Sequence, residues 1–567
     1  MLKEKIGLSL LLLGLLLPLK LASAQSGQPV IAVNLAPTTQ PQLSQSAINI
    51  SPMQHFLDVA GIENFGWVLG KQEVKRFYAL RNYQSIWPAQ PEKKLFVEQL
   101  LQSTEEAAAQ GVKPAVQLAA KLKELKVDQP LSEQVALKQE AEITLLLLKT
   151  VKTLRQGELS FYDRPADWAI APDQVDIVAL AATAWQKQRP IQFFAEFMPR
   201  HPDYIRLIDG WKKIRKLDVH WPIMPEGEKL TKNMQHEQVK LLREILEKEA
   251  IFSGDDKVHL TDHPQPLLFD DAVEAALKKF QARHGLAMDG RVGAQTRKML
   301  NIPAAERKQM VWINLARWRS MPHNWFSRGA ETATRFLWVN IPEQRVYGVE
   351  ADEDISFTSD VVVGSVKTPT PILNSAIANV LLNPPWFTPR SIASTEILGK
   401  LQKSPDYLQK NNMVIRNRPE DPYGQQVNWF DYSKGNFPFQ IKQNPGDKSA
   451  LGVYKFEFDN PFSIYLHDTP QKRGFDRALR AESHGCVRVE DPRGLALWLL
   501  AHDGNEWSEE KLTTLQEKKK TMRLATKESV PLYITYFTAL VDKDGVLQYR
   551  QDIYQRDKSF PDLNISE

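Results

Sequence analysis

A single cysteine, Cys486, in a chain of 567 residues decides how this protein can hold itself together. The N-terminus reads MLKEKIGLSLLLLGLLLPLKLASAQSG: Lys3 and Lys5, an apolar run from Ile6 to Leu19, then Ala22-Ser23-Ala24. A charged start, an apolar stretch and an A-x-A site make a secretory signal cut after Ala24. Lys20 interrupts the run short of the ~20 apolar residues of a membrane span. No cysteine follows the cleavage site to carry a lipid, and no later stretch is apolar enough to span a bilayer. Exported proteins meet oxidising conditions, where cysteines pair. One cysteine cannot pair within its own chain, so the fold must rest on buried apolar cores. For these, 43% hydrophobic residues and 14 Trp are ample. The thiol itself is either a small buried hydrophobe or a free group kept for chemistry.

Lys plus Arg (72) nearly balance Asp plus Glu (68), a formal charge of +4 that carries no nucleic-acid signal. At ~150 residues per domain the length suggests three or four domains. Residues 25–52, rich in Gln, Ser, Pro and Thr, read as a flexible tether. Residues 53–255 read as a helical scaffold: EQVALKQEAEITLLLLKTVKTLRQGEL puts Ala136, Ala141, Leu145, Leu148 and Leu154 on one apolar face and stops at Gly157. Within 262–303, Asp271 and Glu274 form a capping-box variant. Val273, Ala276, Leu277 and Phe280 make a helical stripe there, and Gly285 occupies a C′ position. A helical bridge at 304–334 leads into a β-rich region, 335–556, with a hairpin turning at Pro342-Glu343 and strands at 360–364 and 531–541; residues 557–567 are a tail. Between 386 and 444 the strand rhythm disappears in a Pro-rich, mixed stretch, which reads as a functional lid.

The segment IYLHDTPQKRGFDRALRAESHGCVRVEDP brings His467, His484 and Cys486 close in sequence. They could be a chance cluster at a domain edge, three ligands of a zinc site, or a nucleophile with its base. A histidine two places from a cysteine is not a common finger spacing. A thiol needs a base or positive neighbours to react at neutral pH, and His467, His484 and Arg488 can supply them. Gly485 allows a tight turn that could aim backbone N–H groups at a developing oxyanion.

Ser483-His484-Gly485-Cys486-Val487-Arg488-Val489, with His467 upstream, resembles the signature of the L,D-transpeptidase (YkuD-type) catalytic domain. The flanking blocks VVVGSVKTPTP, NPPWFTPRSIA, PGDKSALGVYKFEF and IYLHDTP agree, although Ser449 stands where the resemblance leads one to expect asparagine. Residues 269–301, through Phe280-Gln281, His284-Gly285-Leu286, Asp289-Gly290, Gly293 and Thr296, resemble the three-helix peptidoglycan-binding domain. The order of blocks is similar to the large multidomain Gram-negative (YcbB-type) members. The resemblance therefore implies an α+β multidomain chain: a helical scaffold domain, a small three-helix peptidoglycan-binding module, and a β-rich catalytic domain with a capping subdomain. It implies a periplasmic enzyme in which Cys486 attacks a tetrapeptide stem at the L-centre of diaminopimelate, expels D-Ala and makes 3→3 crosslinks. His467 is then the base, oriented by the Asp468 carbonyl, and the Gly485 and Cys486 N–H groups hold the oxyanion. His484, Arg488, Tyr465 and Trp386 fall to substrate binding. With these flanks the thiol reading displaces zinc, for which no fourth ligand is near in sequence; no metal or organic cofactor is implied. The implied partners are peptidoglycan stems and glycan, with wall synthases or carboxypeptidases as protein candidates. Carboxypeptidase action, attachment of a lipoprotein lysine and a non-catalytic wall-binding role are the alternatives.

Overall fold

The periodic stretch at 133–156 folds as one helix, Glu133–Gln156, and stops at Gly157, whose φ of 79° favours a residue without Cβ. Ala141, Leu145, Leu148 and Leu154 are buried along it, whereas Ala136 lies in an exposed first turn. Helices Lys71–Ala79, Glu92–Ala108, Lys113–Glu124 and Ile177–Gln186 assemble with it around a core that includes Phe77, Leu100, Leu118, Leu147 and Trp185. This computed structural model describes residues 51–60, 70–158, 165–171, 173–255, 258–323, 335–350, 355–501 and 507–560. The signal reading (1–24), the tether reading up to residue 50, bridge residues 324–334 and tail residues 561–567 lie outside them. No helix among the described residues is long and apolar enough to cross a membrane.

A second core runs from Trp168 to Phe560 and unites segments far apart in sequence, among them Leu242, Phe280, Trp312, Val339, Leu532 and Leu547. The Asp271–Arg283 helix therefore has no core of its own: Val273, Leu277 and Phe280 are buried in the shared one. Its cap differs from the sequence expectation. Asp270, not Asp271, is the N-cap and accepts from the Val273 N–H at 2.9 Å, so Glu274 falls one place beyond the capping-box position and bonds Lys278 at 2.8 Å instead. Gly285 follows the helix with φ 62°.

Polar clamps fasten this unit to the rest. His284 is buried, its Nδ1 2.8 Å from the Phe280 carbonyl and its Nε2 2.5 Å from the Arg307 guanidinium. Burial, then the nearby Arg307 charge, holds that imidazole well below its usual pKa, so it is neutral. Arg550 donates to the Arg283 carbonyl at 3.0 Å and pairs with Glu343 at 2.6 Å.

The β-rich half is built from β1 (Phe336–Asn340), β2 (Arg345–Val349), β3 (Ile355–Gly364), β4 (Leu373–Leu382), β5 (Trp386–Phe387), β6 (Met413–Ile415), β7 (Ile441–Gln443), β8 (Tyr454–Glu457), β9 (Leu466–His467), β10 (Ala481–Ser483), β11 (Val487–Val489) and β12 (Met522–Thr535), with β13 (Ala539–Val541) and β14 (Leu547–Tyr549) as a separate hairpin. The main sheet has the order β10-β3-β11-β9-β8-β4-β12-β1-β2. Because β2 also pairs with β3, the sheet closes on itself, with β10 as an appendage. Closure removes free edges and buries the inward residues Val339, Val346, Val361, Ile377, Phe456, Leu466, Val487 and Ile534.

Residues 386–444 show no strand rhythm in sequence, yet β5, β7 and β6 form a three-stranded sheet there. Short helices join it around a private core of Ile397, Leu401, Leu408, Trp429 and Phe437. Strands of two or three residues are too short to display alternation.

Glu343 and Arg550 are both largely buried, so Arg550→Ala strands a carboxylate. It should destabilise the fold by about 3–5 kcal/mol, read as a drop in chemical-denaturation midpoint. A change below about 0.5 kcal/mol would mean that this clamp contributes nothing net.

Candidate active site

Two antiparallel neighbours, β8 and β3, flank a short parallel pair, β9 and β11, in which Val487 lies opposite Leu466 and Arg488 opposite His467. The Val487 N–H donates to the Tyr465 carbonyl at 3.1 Å, so Cys486 enters the ladder beside Tyr465. Cys486 is half-buried at the end of a turn whose hinge is Gly485. At φ 110° this position favours glycine for its backbone, since an added Cβ would meet nothing closer than 3.6 Å.

The turn is pinned from several sides. Ser483 Oγ donates to the Cys486 carbonyl at 2.5 Å and accepts the Gly485 N–H at 3.1 Å. Thr370 Oγ1 donates to the Gly485 carbonyl at 2.9 Å, and Thr368 Oγ1 to the Ser483 carbonyl at 3.0 Å. The Gly485 N–H is thus committed within its own turn, which departs from the oxyanion role expected of it. No hydrogen bond engages the Cys486 N–H among the described residues.

His467 is buried, with Nδ1 2.5 Å from the Asp468 carbonyl oxygen. A carbonyl only accepts, so Nδ1 carries the proton and Nε2 presents its lone pair. Asp468 is itself anchored through its side chain, which accepts from the Val453 N–H (2.8 Å), the Thr469 N–H (2.7 Å) and Lys472 Nζ (2.9 Å). Gly452 makes room for it: a Cβ there would sit 2.2 Å from the carboxylate.

Burial dominates the electrostatics. It pushes the Cys486 thiol up, against the Tyr465 N–H, the positive charge of Lys455, the Tyr465 hydroxyl and Arg488. Burial, then Arg488, holds His467 down to about 3, with Lys455 adding to the effect and the Asp468 carbonyl opposing it. At neutral pH the resting pair is therefore an uncharged thiol and an uncharged imidazole. The N–H and the hydroxyl of Tyr465 both act to lower the thiol pKa, and Trp386, on β5, acts to lower that of the Tyr465 hydroxyl. Arg488 projects from β11 and donates to Gln471 at 3.3 Å. His484 turns outward, its Nε2 2.5 Å from Glu396 in the 386–444 segment. His467, Asp468, Tyr465, Trp386, Arg488, Gly485 and Cys486 thus converge, while His484 does not face the thiol. Among the described residues no cluster of His, Cys, Asp and Glu is placed to hold a metal ion. The sequence reading missed Thr368, Thr370, Gly452, Lys455 and Glu396, which act through turns and cross-strand contacts and carry no local signature.

The L,D-transpeptidase (YkuD) catalytic-domain family matches residues 334–515, which contain all of these groups. This chain carries an L,D-transpeptidase catalytic domain. A scaffold-domain family matches 72–210, and a family described as a putative peptidoglycan binding domain matches 235–300, taking in the Glu237–Ser253 helix. The chain is therefore α+β and multidomain, with helical scaffold and peptidoglycan-binding units beside a β-rich L,D-transpeptidase domain. A Haemophilus influenzae protein named as a putative L,D-transpeptidase is 34% identical over 234 residues, 41% of this chain; the match spans 46% of that relative's length, under half. Solved structures it resembles include an L,D-transpeptidase from Xylanimonas cellulosilytica (12% identity, 55% of this chain and 99% of that one, TM-score 0.18). Another is from Stackebrandtia nassauensis (15% identity, 55% and 96%, TM-score 0.20).

Raised thiol and depressed imidazole predict how the free L,D-transpeptidase domain reacts with a small alkylating agent. The rate of Cys486 alkylation by iodoacetamide should climb through neutral pH and level off only above the ordinary thiol range. A plateau between about pH 6 and 8, the mark of a resting thiolate–imidazolium pair, would contradict this.

Proposed function

We propose that the L,D-transpeptidase domain performs acyl transfer through a thioester on Cys486, joining peptidoglycan stems by 3→3 crosslinks. The observation that carries this reading is a half-buried thiol immediately before β11, whose neighbouring strand β9 carries a buried, neutral imidazole with its tautomer set by the Asp468 carbonyl. His467 Nε2 takes the thiol proton as sulfur attacks the carbonyl at the L-centre of diaminopimelate in a tetrapeptide stem. The same proton then passes to the departing D-Ala amine, leaving a thioester and a neutral imidazole. The developing oxyanion falls to the Cys486 N–H, with Gly485 shaping the turn rather than donating. Tyr465 steadies sulfur charge as it forms, and Arg488 adds positive field. In the second half an amine attacks the thioester and His467 returns a proton to sulfur.

Hydrolysis of the thioester would make the protein a carboxypeptidase, and a lipoprotein lysine could replace the stem amine. A stem amine is favoured by the segment 386–444, proposed as a lid, because an acyl-enzyme awaiting an amine must exclude water. The peptidoglycan-binding match supports peptidoglycan as the polymer acted on and a place at the cell wall.

Cys486→Ala should abolish the covalent adduct that a carbapenem, an acyl-donor mimic, forms in intact-mass spectra; an adduct surviving on that variant rules the nucleophile out. His467→Ala should stay folded and lose roughly 10²–10⁴ in acylation rate. With disaccharide-tetrapeptide as substrate, a tetra–tri dimer lacking one D-Ala is expected. Tripeptide monomer alone, with acceptor amine abundant, would instead establish carboxypeptidase action. Backbone amides in 386–444 should exchange more slowly after acylation, and equal exchange in both states would remove the lid role.

A further inference from the structure

The outer face of the closed sheet carries a trough that ends against the wall of the active site. Ile377 of β4 points into the core, so its neighbours Ala376 and Ala378 point outward and form a low floor. Lys455 and Glu457 of β8 flank that floor on one side and Arg523 of β12 on the other, with Asn460, Ser463, Ile464 and Tyr465 completing the lining. The hollow measures about 520 Å³. It lies outside the residues assigned above to the acylation chemistry, except for Tyr465, which it shares with the thiol.

Its polar groups form an ordered set. Lys455 Nζ bonds one oxygen of Glu457 at 2.8 Å, and Arg523 bonds the other at 3.0 Å. Lys455 also sits 4.1 Å from the centre of the Tyr465 ring. An ammonium has three donors and a guanidinium five, so both cations can bind a second carboxylate without releasing the first. Two cations bracketing one carboxylate match a ligand group that carries both signs on adjacent atoms. A lone amine would meet two positive charges, and a lone carboxylate would meet Glu457 and the exposed Asp459. The alanine floor leaves width for a peptide chain, which larger residues on an outer sheet face would deny.

We propose that this trough is the acceptor subsite: it holds the carboxylate of an acceptor peptide's amino-acid end on Lys455 and Arg523 and presents the amine on the same carbon to the Cys486 thioester. This rests on the acyl-transfer reading and adds what that reading lacks, the feature by which one amine is chosen. The ammonium first releases one proton to solvent. Its nitrogen then attacks the thioester carbonyl, the C–N bond forming as C–S breaks. A second nitrogen proton passes through His467 to sulfur and restores the thiol.

The test uses the full chain with disaccharide-tetrapeptide as donor and two soluble acceptors. One is diaminopimelate; the other, 1,5-diaminopentane, keeps both amines and lacks both carboxylates. Amide product, hydrolysis product and the acyl-enzyme mass are followed together. Arg523→Gln should raise the half-saturating diaminopimelate concentration about tenfold, the scale of one lost charge-assisted hydrogen bond, and leave that for 1,5-diaminopentane as in wild type. Ala378→Phe, which fills the floor at an exposed position, should shift partition of the acyl-enzyme toward hydrolysis for diaminopimelate. Wild-type half-saturation and partition in both folded variants would overturn the assignment. Absence of any acyl-enzyme in the wild type would instead overturn the acyl-transfer reading, and the subsite with it.

Discussion

Everything at the candidate site depends on a parallel ladder only two pairs long, Leu466 with Val487 and His467 with Arg488. So short a pairing cannot hold itself, and parallel strands demand a long crossover between them. Here the chain from Asp468 to Cys486 supplies it, starting at an anchored carboxylate and ending in a pinned turn. On either side β8 and β3 extend the ladder, and the pairing of β2 with β3 closes the ring. The Cys486 thiol and the His467 imidazole are thus placed by the whole closed sheet and not by local turn geometry alone.

Closure also sets the electrostatics. Water is excluded from the ladder, so the thiol and the imidazole are each driven to their uncharged forms, and the positive field of Lys455 and Arg488 reinforces the effect at His467. This arrangement has a cost at low pH. His467 in the unfolded chain titrates near 6.5, while in the fold it is held down to about 3. Between those values the unfolded state binds a proton that the folded state does not, so stability falls as pH drops through that window. At the thiol, the two donors of Tyr465 act against the effect of burial.

The parts legible in sequence were those that announce themselves locally. The helix ending at Gly157, the hairpin at Pro342-Glu343 and the His-Gly-Cys turn all rest on periodicity or on residues with special backbone freedom. What stayed hidden depends on contacts between distant segments. Thr370 reaches Gly485 across the sheet, Gly452 yields to the Asp468 carboxylate, and the helix at 271–283 draws its core from residues hundreds of positions away. The cap's strands were invisible because two or three residues cannot show a period. The Asp270 cap was misread by one place, since two adjacent aspartates offer the same side chain to the helix start.

The cap and the turn meet through polar contacts of a particular kind. The 386–444 segment keeps its own apolar core, separate from the core beneath the active site. Its described polar contact with the 483–486 turn is His484 with Glu396, both half-exposed, and Trp386 acts on the Tyr465 hydroxyl. Exposed ion pairs are worth roughly 0–1 kcal/mol, so separating the His484–Glu396 pair costs little. Disrupting the private core would cost far more, because each buried large side chain contributes about 1.5–3 kcal/mol. Strong internal packing with so weak a polar attachment supports the lid role proposed for this segment. Tyr465 connects these parts: Trp386 acts on its hydroxyl, Lys455 of the trough lies 4.1 Å from its ring centre, and its own donors act on the thiol. The 386–444 segment and the thiol are thus linked through a single side chain, Tyr465.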